Sequence, residues 1–177
     1  MEAQRFIDSL EQFATVMPAL IVGLTESDLL FRPMEDEGRP TWSITEIVAH
    51  VVETEVYDMR PRFESTLLRD PNEEWDPIDP EGWAVARDYQ GREVHGEMAR
   101  FVSLRRENVK WLRSLDRPDF FREHHHPKFP SIRAGDLLSS WTAHDALHAR
   151  QIVKRRFQII VRDAGKFDTG YAGQWKA

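Results

Sequence analysis

The sequence predicts an all-α protein: a four-helix bundle with a long crossover between the second and third helices, in up-down-down-up topology. Apolar residues recur at helical spacing along four long segments, and no segment shows the convincing alternation of a half-buried strand. The stretch between the second and third segments is long enough to cross a bundle. With 177 residues, 41% hydrophobic and 31% charged, the chain suits a single globular domain with its own core.

The first two helices are predicted from an apolar seam and from a capping signal. The seam consists of Phe6, Leu10, Phe13, Met17, Leu20 and Leu24. The second helix begins after Ser43, which can cap it, while Glu46 three residues later can return the hydrogen bond in a capping box. We expect this helix to run to about Arg69, with Pro61 kinking it or ending its regular part.

The crossover is predicted over residues 70–90, where three Asp-Pro pairs disfavour helix. An extended chain covers roughly 3.3 Å per residue, so this stretch can span the bundle and leave helices two and three parallel. The third helix is expected over about 92–115, an irregular loop over 118–130 and the fourth helix over about 132–161. We therefore assign residues 1–163 to the bundle and residues 164–177 to a tail rich in glycine and aromatic residues.

Composition excludes several classes of function. The net charge of −6 argues against a general nucleic-acid binder, and no run of about 18 apolar residues is present to span a membrane. The charged residues near the amino terminus do not resemble a signal peptide, so a cytoplasmic location is expected. Because the chain contains no cysteine, any metal site must use His, Asp, Glu or water.

Three histidines lie in register with the apolar stripes of their helices. His144 and His148 are four residues apart, in line with Trp141, and His50 is in line with Ile47 on the second helix. Such a pair is more often satisfied by ordinary hydrogen bonds than by a metal. Three buried imidazoles without partners would be costly, however, and one divalent cation would satisfy them all.

The motifs around these histidines resemble the DinB-like (YfiT/DinB) superfamily of damage-inducible, metal-dependent proteins. The resemblance rests on "WSITEIVAH", "HPKF" and "IRAGDLLSSWTAHDALHARQI", and it spans nearly the whole chain. Pro130 departs from the pattern, which has glycine there. The resemblance implies the four-helix bundle with its crossover, and a divalent ion (Zn, Ni, Mn or Fe) bound by His50, His144 and His148.

The same resemblance implies an enzyme that acts on a small molecule. Its leading chemistry would be S-transfer, in which a low-molecular-weight bacterial thiol held by the metal attacks an electrophile. Metal-assisted hydrolysis is the second possibility. A non-catalytic stress-response protein that binds metal or a small ligand is the third, because family membership does not fix a reaction.

Further residues are candidates for supporting roles. Glu53, Thr54, Asp145 and Gln151 are expected to orient a ligand or a bound water. An exposed position on the helix surface is an equal alternative for Glu53, and the helical spacing from His144 points Asp145 toward another helix or a dimer contact. His126 and Phe129 are expected at the pocket mouth, His95 at the surface, and Trp75 and Trp83 in a pocket under the crossover. The long last helix and the aromatic tail suggest a homodimer.

Overall fold

The structure, a computed structural model, describes residues 3–34, 41–126 and 129–175. Its α-helices are α1 (Ala3–Ala19), α2 (Glu26–Leu29), α3 (Ile44–Tyr57), α4 (Met59–Leu68), α5 (Pro80–Ala86), α6 (Val94–Ser114) and α7 (Ala134–Ala164). Strands β1 (Glu123–His126) and β2 (Phe129–Arg133) form an antiparallel hairpin. Within these residues, no helix is long and apolar enough to cross a membrane.

The expected four-helix bundle with up-down-down-up topology is confirmed. Its helices are α1, the pair α3–α4, α6 and α7, and their apolar faces form two clusters, one toward each end of the bundle. The start of α3, the start of α6, and the ends of α1 and α7 contribute to one cluster. The other ends of all four contribute to the second cluster. Thus α1 and α7 run one way, while α3–α4 and α6 run the opposite way.

The second bundle helix is capped as predicted and is broken in its middle. Ser43 Oγ accepts from the backbone N–H of Glu46 at 3.2 Å, and the Glu46 carboxylate accepts from Ser43 N–H at 2.8 Å. The break lies at Asp58, whose φ of −129° and ψ of −81° are not helical. Proline lacks an N–H and its ring conflicts with the carbonyl four residues earlier, which for Pro61 is that of Tyr57. The expected proline effect therefore appears just before the proline itself.

Two expectations for the connections were wrong. The crossover is not free of helix, because Asp79 caps Gly82 N–H at 3.0 Å and Pro80 begins α5. The missing N–H of proline is harmless in a first helical turn, so an Asp-Pro pair can start a helix as well as prevent one. The stretch 118–130 is not wholly irregular either, because β1 occupies residues 123–126. In addition, the first helix ends at Ala19 rather than continuing along its seam to Leu24.

A buried arginine at the centre of the bundle links its four helices. Arg105 of α6 is 0% exposed, and its guanidinium donates to Glu55 of α3 at 3.2 Å and to Asp145 of α7 at 2.9 Å. It also donates to the backbone carbonyl of Leu10 in α1 at 3.1 Å. From the sequence, Arg105 was an imperfect member of an apolar stripe. In the structure this position holds a buried charge that is ion-paired with Glu55 and Asp145.

The partners of Arg105 are themselves fully hydrogen-bonded. The Glu55 carboxylate also accepts from Asn108 Nδ2 and from Trp141 Nε1, each at 2.7 Å. Burial alone would lower the pKa of Arg105, but the carboxylates of Glu55 and Asp145 outweigh it and raise that pKa. The guanidinium therefore stays charged inside the core, and each carboxylate depends on it for compensation.

Replacing this arginine should be strongly destabilising. We expect Arg105→Met to lower the free energy of unfolding by about 3–5 kcal/mol, because two buried carboxylates lose their counter-charge. Arg100→Met is the matched control, since Arg100 lies on the same helix with its side chain 46% exposed, and its effect should stay within about 0.5 kcal/mol. Urea denaturation followed by circular dichroism measures both.

A second variant separates charge from packing. Adding Glu55→Gln and Asp145→Asn to Arg105→Met removes the unpaired charges, so part of the lost stability should return. A loss below about 1 kcal/mol for Arg105→Met alone would contradict the central role of this residue.

Candidate metal centre

The structure brings His50, His144 and His148 together inside the bundle. His50 projects from α3, and the other two project from successive turns of α7. The Nε2 atoms of His50 and His144 are 3.3 Å apart, and those of His144 and His148 are 2.9 Å apart. One ligand atom from each of the three lies within 4.8 Å of the others. The helical spacing of the α7 pair thus places two rings on one face, opposite the ring from α3.

These distances fit a shared metal ion. Zinc binds imidazole nitrogen at about 2.0–2.1 Å, so two ligand nitrogens at angles between 90° and tetrahedral lie about 2.9–3.4 Å apart. Both short nitrogen–nitrogen distances in the cluster fall in this interval. A ring nitrogen is a ligand that zinc, nickel and iron accept readily. The donor set is therefore appropriate for the divalent ion expected from the sequence.

Burial keeps the three rings neutral, which is the form that binds metal. Desolvation, with a smaller effect of His148, lowers the pKa of His50 to about 3. Desolvation, followed by the neighbouring histidines, lowers the pKa of His144 to about 2, and burial also lowers the pKa of His148. A neutral imidazole retains one nitrogen lone pair. The cluster thus presents converging lone pairs without protons competing for them at neutral pH.

Gln151 sets the tautomer of one ring. Its amide oxygen lies 2.8 Å from His148 Nδ1, and an amide oxygen can only accept, so Nδ1 carries the proton. The Nε2 of His148, which faces His144, is then the unprotonated nitrogen. Polar partners of this kind fix the ring orientation of metal ligands and raise their basicity.

Trp42 and an unpaired nitrogen characterise the surroundings of His50. The ring centroid of Trp42 lies 5.0 Å from that of His50, so an apolar wall covers one side of the cluster. The Nδ1 atom of His50 is buried and has no hydrogen-bond partner in the described part of the chain. This nitrogen gives His50 no anchor like the one that Gln151 gives His148, so its ring is held by packing and by the contact of its Nε2 atom with His144.

The remaining supporting candidates have other partners. Glu53 is 4% exposed and forms ion pairs with Arg87 and Arg92, which lie between α5 and α6. Thr54 Oγ1 donates to the carbonyl of Val51 at 2.8 Å. Asp145 pairs with Arg105, as described above, and so faces another helix. Of the four candidates, only Gln151 has a hydrogen bond to one of the histidines among the described residues.

The residues expected at the pocket mouth lie on the hairpin. His126 is on β1, where its ring is 5.8 Å from that of Trp75, and its backbone pairs with Phe129 on β2. The side chain of Phe129 is outside the described residues. His95 is exposed at the start of α6, as expected. Trp83 stacks under Arg87, with the guanidinium carbon 4.2 Å from the ring centroid.

Sequence reasoning missed the groups that immobilise the helices beside the histidines. Arg105 on α6 and Glu55 on α3 each carry a charge where the residues three and four positions earlier are apolar: Val102 and Phe101 before Arg105, Val52 and Val51 before Glu55. Opposite charges at two such positions were the signal for a buried pair. The partners of Glu53 could not be found in this way, because Arg87 and Arg92 lie in the connection between α5 and α6, which has no apolar stripe.

Fold and site define a helical-bundle protein with a three-histidine cluster, and comparison with known proteins assigns its family. A profile of the DinB superfamily matches residues 9–152, so the chain belongs to that superfamily. No curated protein sequence matches it. The chain is similar in structure to YfiT from Bacillus subtilis, with a TM-score of 0.77 and 21% identity, over 89% of this chain and 87% of that one. YfiT is described as a probable metal-dependent hydrolase with an unusual four-helix bundle topology.

Metal analysis tests the role of the three histidines. Protein purified without chelator and without an affinity tag should contain close to one divalent ion per chain, and His50→Ala, His144→Ala or His148→Ala should each lose most of it, because two imidazoles rarely hold an ion alone. Elemental analysis after gel filtration gives the ratio. His95→Ala is the control and should keep the full content. A folded triple variant that retains the same metal would show that the ion lies elsewhere.

Gln151 should affect metal affinity without being a ligand. We expect Gln151→Leu to weaken binding about 10–100-fold, because His148 loses the acceptor that fixes its tautomer. Gln151→Glu keeps an acceptor at that place and should bind at least as tightly as the wild type. Competition with a chromophoric chelator measures both constants. Equal affinities for the wild type and Gln151→Leu would remove Gln151 from the site.

Proposed function

We propose that this protein is a divalent-metal-dependent thiol S-transferase in which His50, His144 and His148 hold the ion. The observation that carries the proposal is the ligand set: three neutral imidazoles and no carboxylate among the described residues. Such a set leaves the double positive charge of an ion uncompensated and leaves coordination positions for a substrate, as in catalytic sites. An anionic sulfur is a ligand that matches both properties.

The engagement of nearby carboxylates favours a thiol over water as the nucleophile. Glu46, Glu53, Glu55 and Asp145 are the acidic residues within five positions of the histidines in sequence, and each is paired with an arginine. None of them is available as a general base in the described structure. Deprotonation of a water nucleophile is assisted by such a base. A thiol with a pKa of about 8.5 needs only a modest lowering of that pKa to ionise at neutral pH.

The chain supplies no sulfur nucleophile of its own, since it lacks cysteine. When bound, the ion acts as a Lewis acid that favours the anionic form of an external thiol. The thiol sulfur then forms a bond to an electrophilic carbon, the leaving group departs with its electron pair, and the thiol proton passes to solvent. The histidines hold the reacting centre, and Gln151 and Trp42 keep their rings in place.

Metal-dependent hydrolysis is the second candidate. It is favoured by the structural similarity to YfiT, which is described as a probable metal-dependent hydrolase. The same three histidines would serve this reaction, with water in place of the thiol. The two reactions differ in one requirement, because hydrolysis proceeds without any added thiol.

Conjugation assays distinguish the candidates. With a panel of low-molecular-weight thiols including cysteine, glutathione and coenzyme A, metal-loaded protein should accelerate conjugation to monochlorobimane. Its rate should stay nearly flat from about pH 6.5 to 8, whereas the uncatalysed rate should rise about 25-fold for a thiol of pKa about 8.5. His148→Ala should abolish the excess rate, and His95→Ala should leave it unchanged.

Two results would overturn the S-transferase. One is a conjugation rate that does not change when chelator is added. The other is cleavage of activated esters that requires the metal but no thiol, which would establish the hydrolase instead. If the protein binds metal but shows neither activity, it is best described as a non-catalytic metal-binding protein of this superfamily.

A further inference from the structure

Glu53 has two arginine partners, although one would compensate its charge. One oxygen of its buried carboxylate accepts from Arg92 Nη2 at 2.8 Å, and the other accepts from Arg87 Nη1. A buried carboxylate needs a single counter-charge and hydrogen bonds to its oxygens. Arg92 is the more buried of the two partners, with 18% of its side chain exposed against 32% for Arg87. Arg92 therefore meets the requirement of Glu53, and the charge of Arg87 exceeds it.

The other charges nearby do not neutralise this excess. Glu97 lies 3.5 Å from Arg92 and 3.8 Å from Arg100, so it is shared by two guanidinium groups. The ion-paired group thus contains three arginines and two glutamates, which leaves one net positive charge. An arginine that is partly exposed and not needed for charge balance is able to bind an anion from solution.

Two aromatic rings fix the direction of the Arg87 guanidinium. Its Cζ atom lies 4.6 Å from the ring centroid of Tyr57 and 4.2 Å from that of Trp83. Among the described residues, Nη1 is the only side-chain nitrogen of Arg87 with a hydrogen-bond partner, so further N–H groups of the planar fork are left to donate. Because the fork is already immobilised, little conformational entropy is lost when it binds a carboxylate.

Arg87 lies along the face of α3 that carries His50. Its contacts on α3, Glu53 and Tyr57, follow His50 by three and seven residues. Seven residues are nearly two full turns, so Tyr57 returns to the face of His50. The two contacts lie about 4.5 and 10.5 Å beyond His50 along the helix axis, at 1.5 Å per residue. A small molecule that binds at the histidine cluster can therefore reach the guanidinium.

The connection between α5 and α6, which carries Arg87, also borders the histidine cluster. Tyr89 on this connection forms a buried apolar cluster with Ala49, the residue before His50. The Trp42 ring is 5.0 Å from the ring of His50 and 6.4 Å from that of Tyr89, measured between centroids. The connection is thus a wall beside the metal centre, and Arg87 is its outer cation.

We propose that Arg87 binds a carboxylate of the substrate, so that the thiol accepted by this protein is an acidic one. The inference rests on the proposed S-transferase function. The sulfur occupies the centre formed by the three histidines, while the carboxylate, several bonds away, accepts hydrogen bonds from the remaining N–H groups of Arg87. A neutral or positively charged thiol lacks this second contact and binds less tightly.

Calorimetric titration of the full-length, metal-loaded protein tests the proposal with three thiols of the same chain length. Mercaptobutyrate carries the carboxylate, mercaptobutanol is neutral and mercaptobutylamine is positive. We expect the acid to bind about tenfold more tightly than the alcohol, because a charge-assisted hydrogen bond to a fixed guanidinium is gained. The amine should bind more weakly than the alcohol. The readout is an affinity and does not depend on turnover.

Variants assign the preference to Arg87. Arg87→Gln should bring the affinities of acid and alcohol to within about twofold of each other. Its fold should persist by circular dichroism, because Glu53 keeps Arg92. Arg100→Gln is the matched control, since it removes an equal charge from the same group and should keep the full preference. If Arg87→Gln does not fold, Arg87→Lys decides the question: it keeps a charge for Glu53 but loses the fork, so the preference should fall.

The possible failures can be told apart. If none of the three thiols binds, the S-transferase proposal fails and this inference fails with it. If the acid and the alcohol bind the wild type equally, only the role of Arg87 is overturned. The same holds if the preference for the acid persists in Arg87→Gln, because the carboxylate would then be binding the ion itself.

Discussion

The ion-paired guanidinium of Arg105 is the constraint on which the bundle depends. Its guanidinium forms hydrogen bonds to a residue on each of the other three bundle helices: Leu10, Glu55 and Asp145. Hydrophobic packing alone tolerates small rotations of a helix about its axis, but a guanidinium with fixed donor directions does not. Asp145 directly follows His144, so holding its carboxylate also fixes which way the α7 histidines face. Glu55 does the same for α3, which carries His50 five residues earlier.

The same arrangement determines the chemistry available at the cluster. Buried acidic residues are usual candidates for metal ligands or bases, yet here they stabilise helix packing and the crossover. Glu53 anchors the crossover through Arg87 and Arg92, and its neighbour Glu55 anchors the bundle centre. The histidines are left as a neutral set in a desolvated environment, where their pKa values are lowered. A neutral set of ligands makes a bound cation more electrophilic than a set that includes carboxylates would, because less of its charge is compensated.

Local periodicity predicted the helices and placed each of the three histidines on an inner face, whereas the resemblance to the DinB-like superfamily implied that they share one ion. A stripe of residues three and four apart reports which side chains share a face, and His50, His144 and His148 lie on such stripes. The pairing of Arg105 with Asp145 could not be predicted in this way, since it depends on the relative rotation of two helices distant in sequence. Helix α5 was missed because Asp79 and Pro80 were interpreted as helix breakers, although they also make a favourable helix start. Strand β1 was missed because four residues, three of them histidine, carry too little alternation to be recognised.

The break at Asp58 divides the second bundle helix into two rods with different neighbours. His50 lies on α3, whereas Arg62 lies on α4 beside a cavity between the first part of the crossover and strand β1. A change that tilts α4 can be absorbed by the torsion angles at Asp58, so it need not move the backbone that carries His50. In evolutionary terms, the two ends of the bundle can diverge at different rates. Substitutions that reshape the α4 end can therefore accumulate without displacing the backbone at the histidine end.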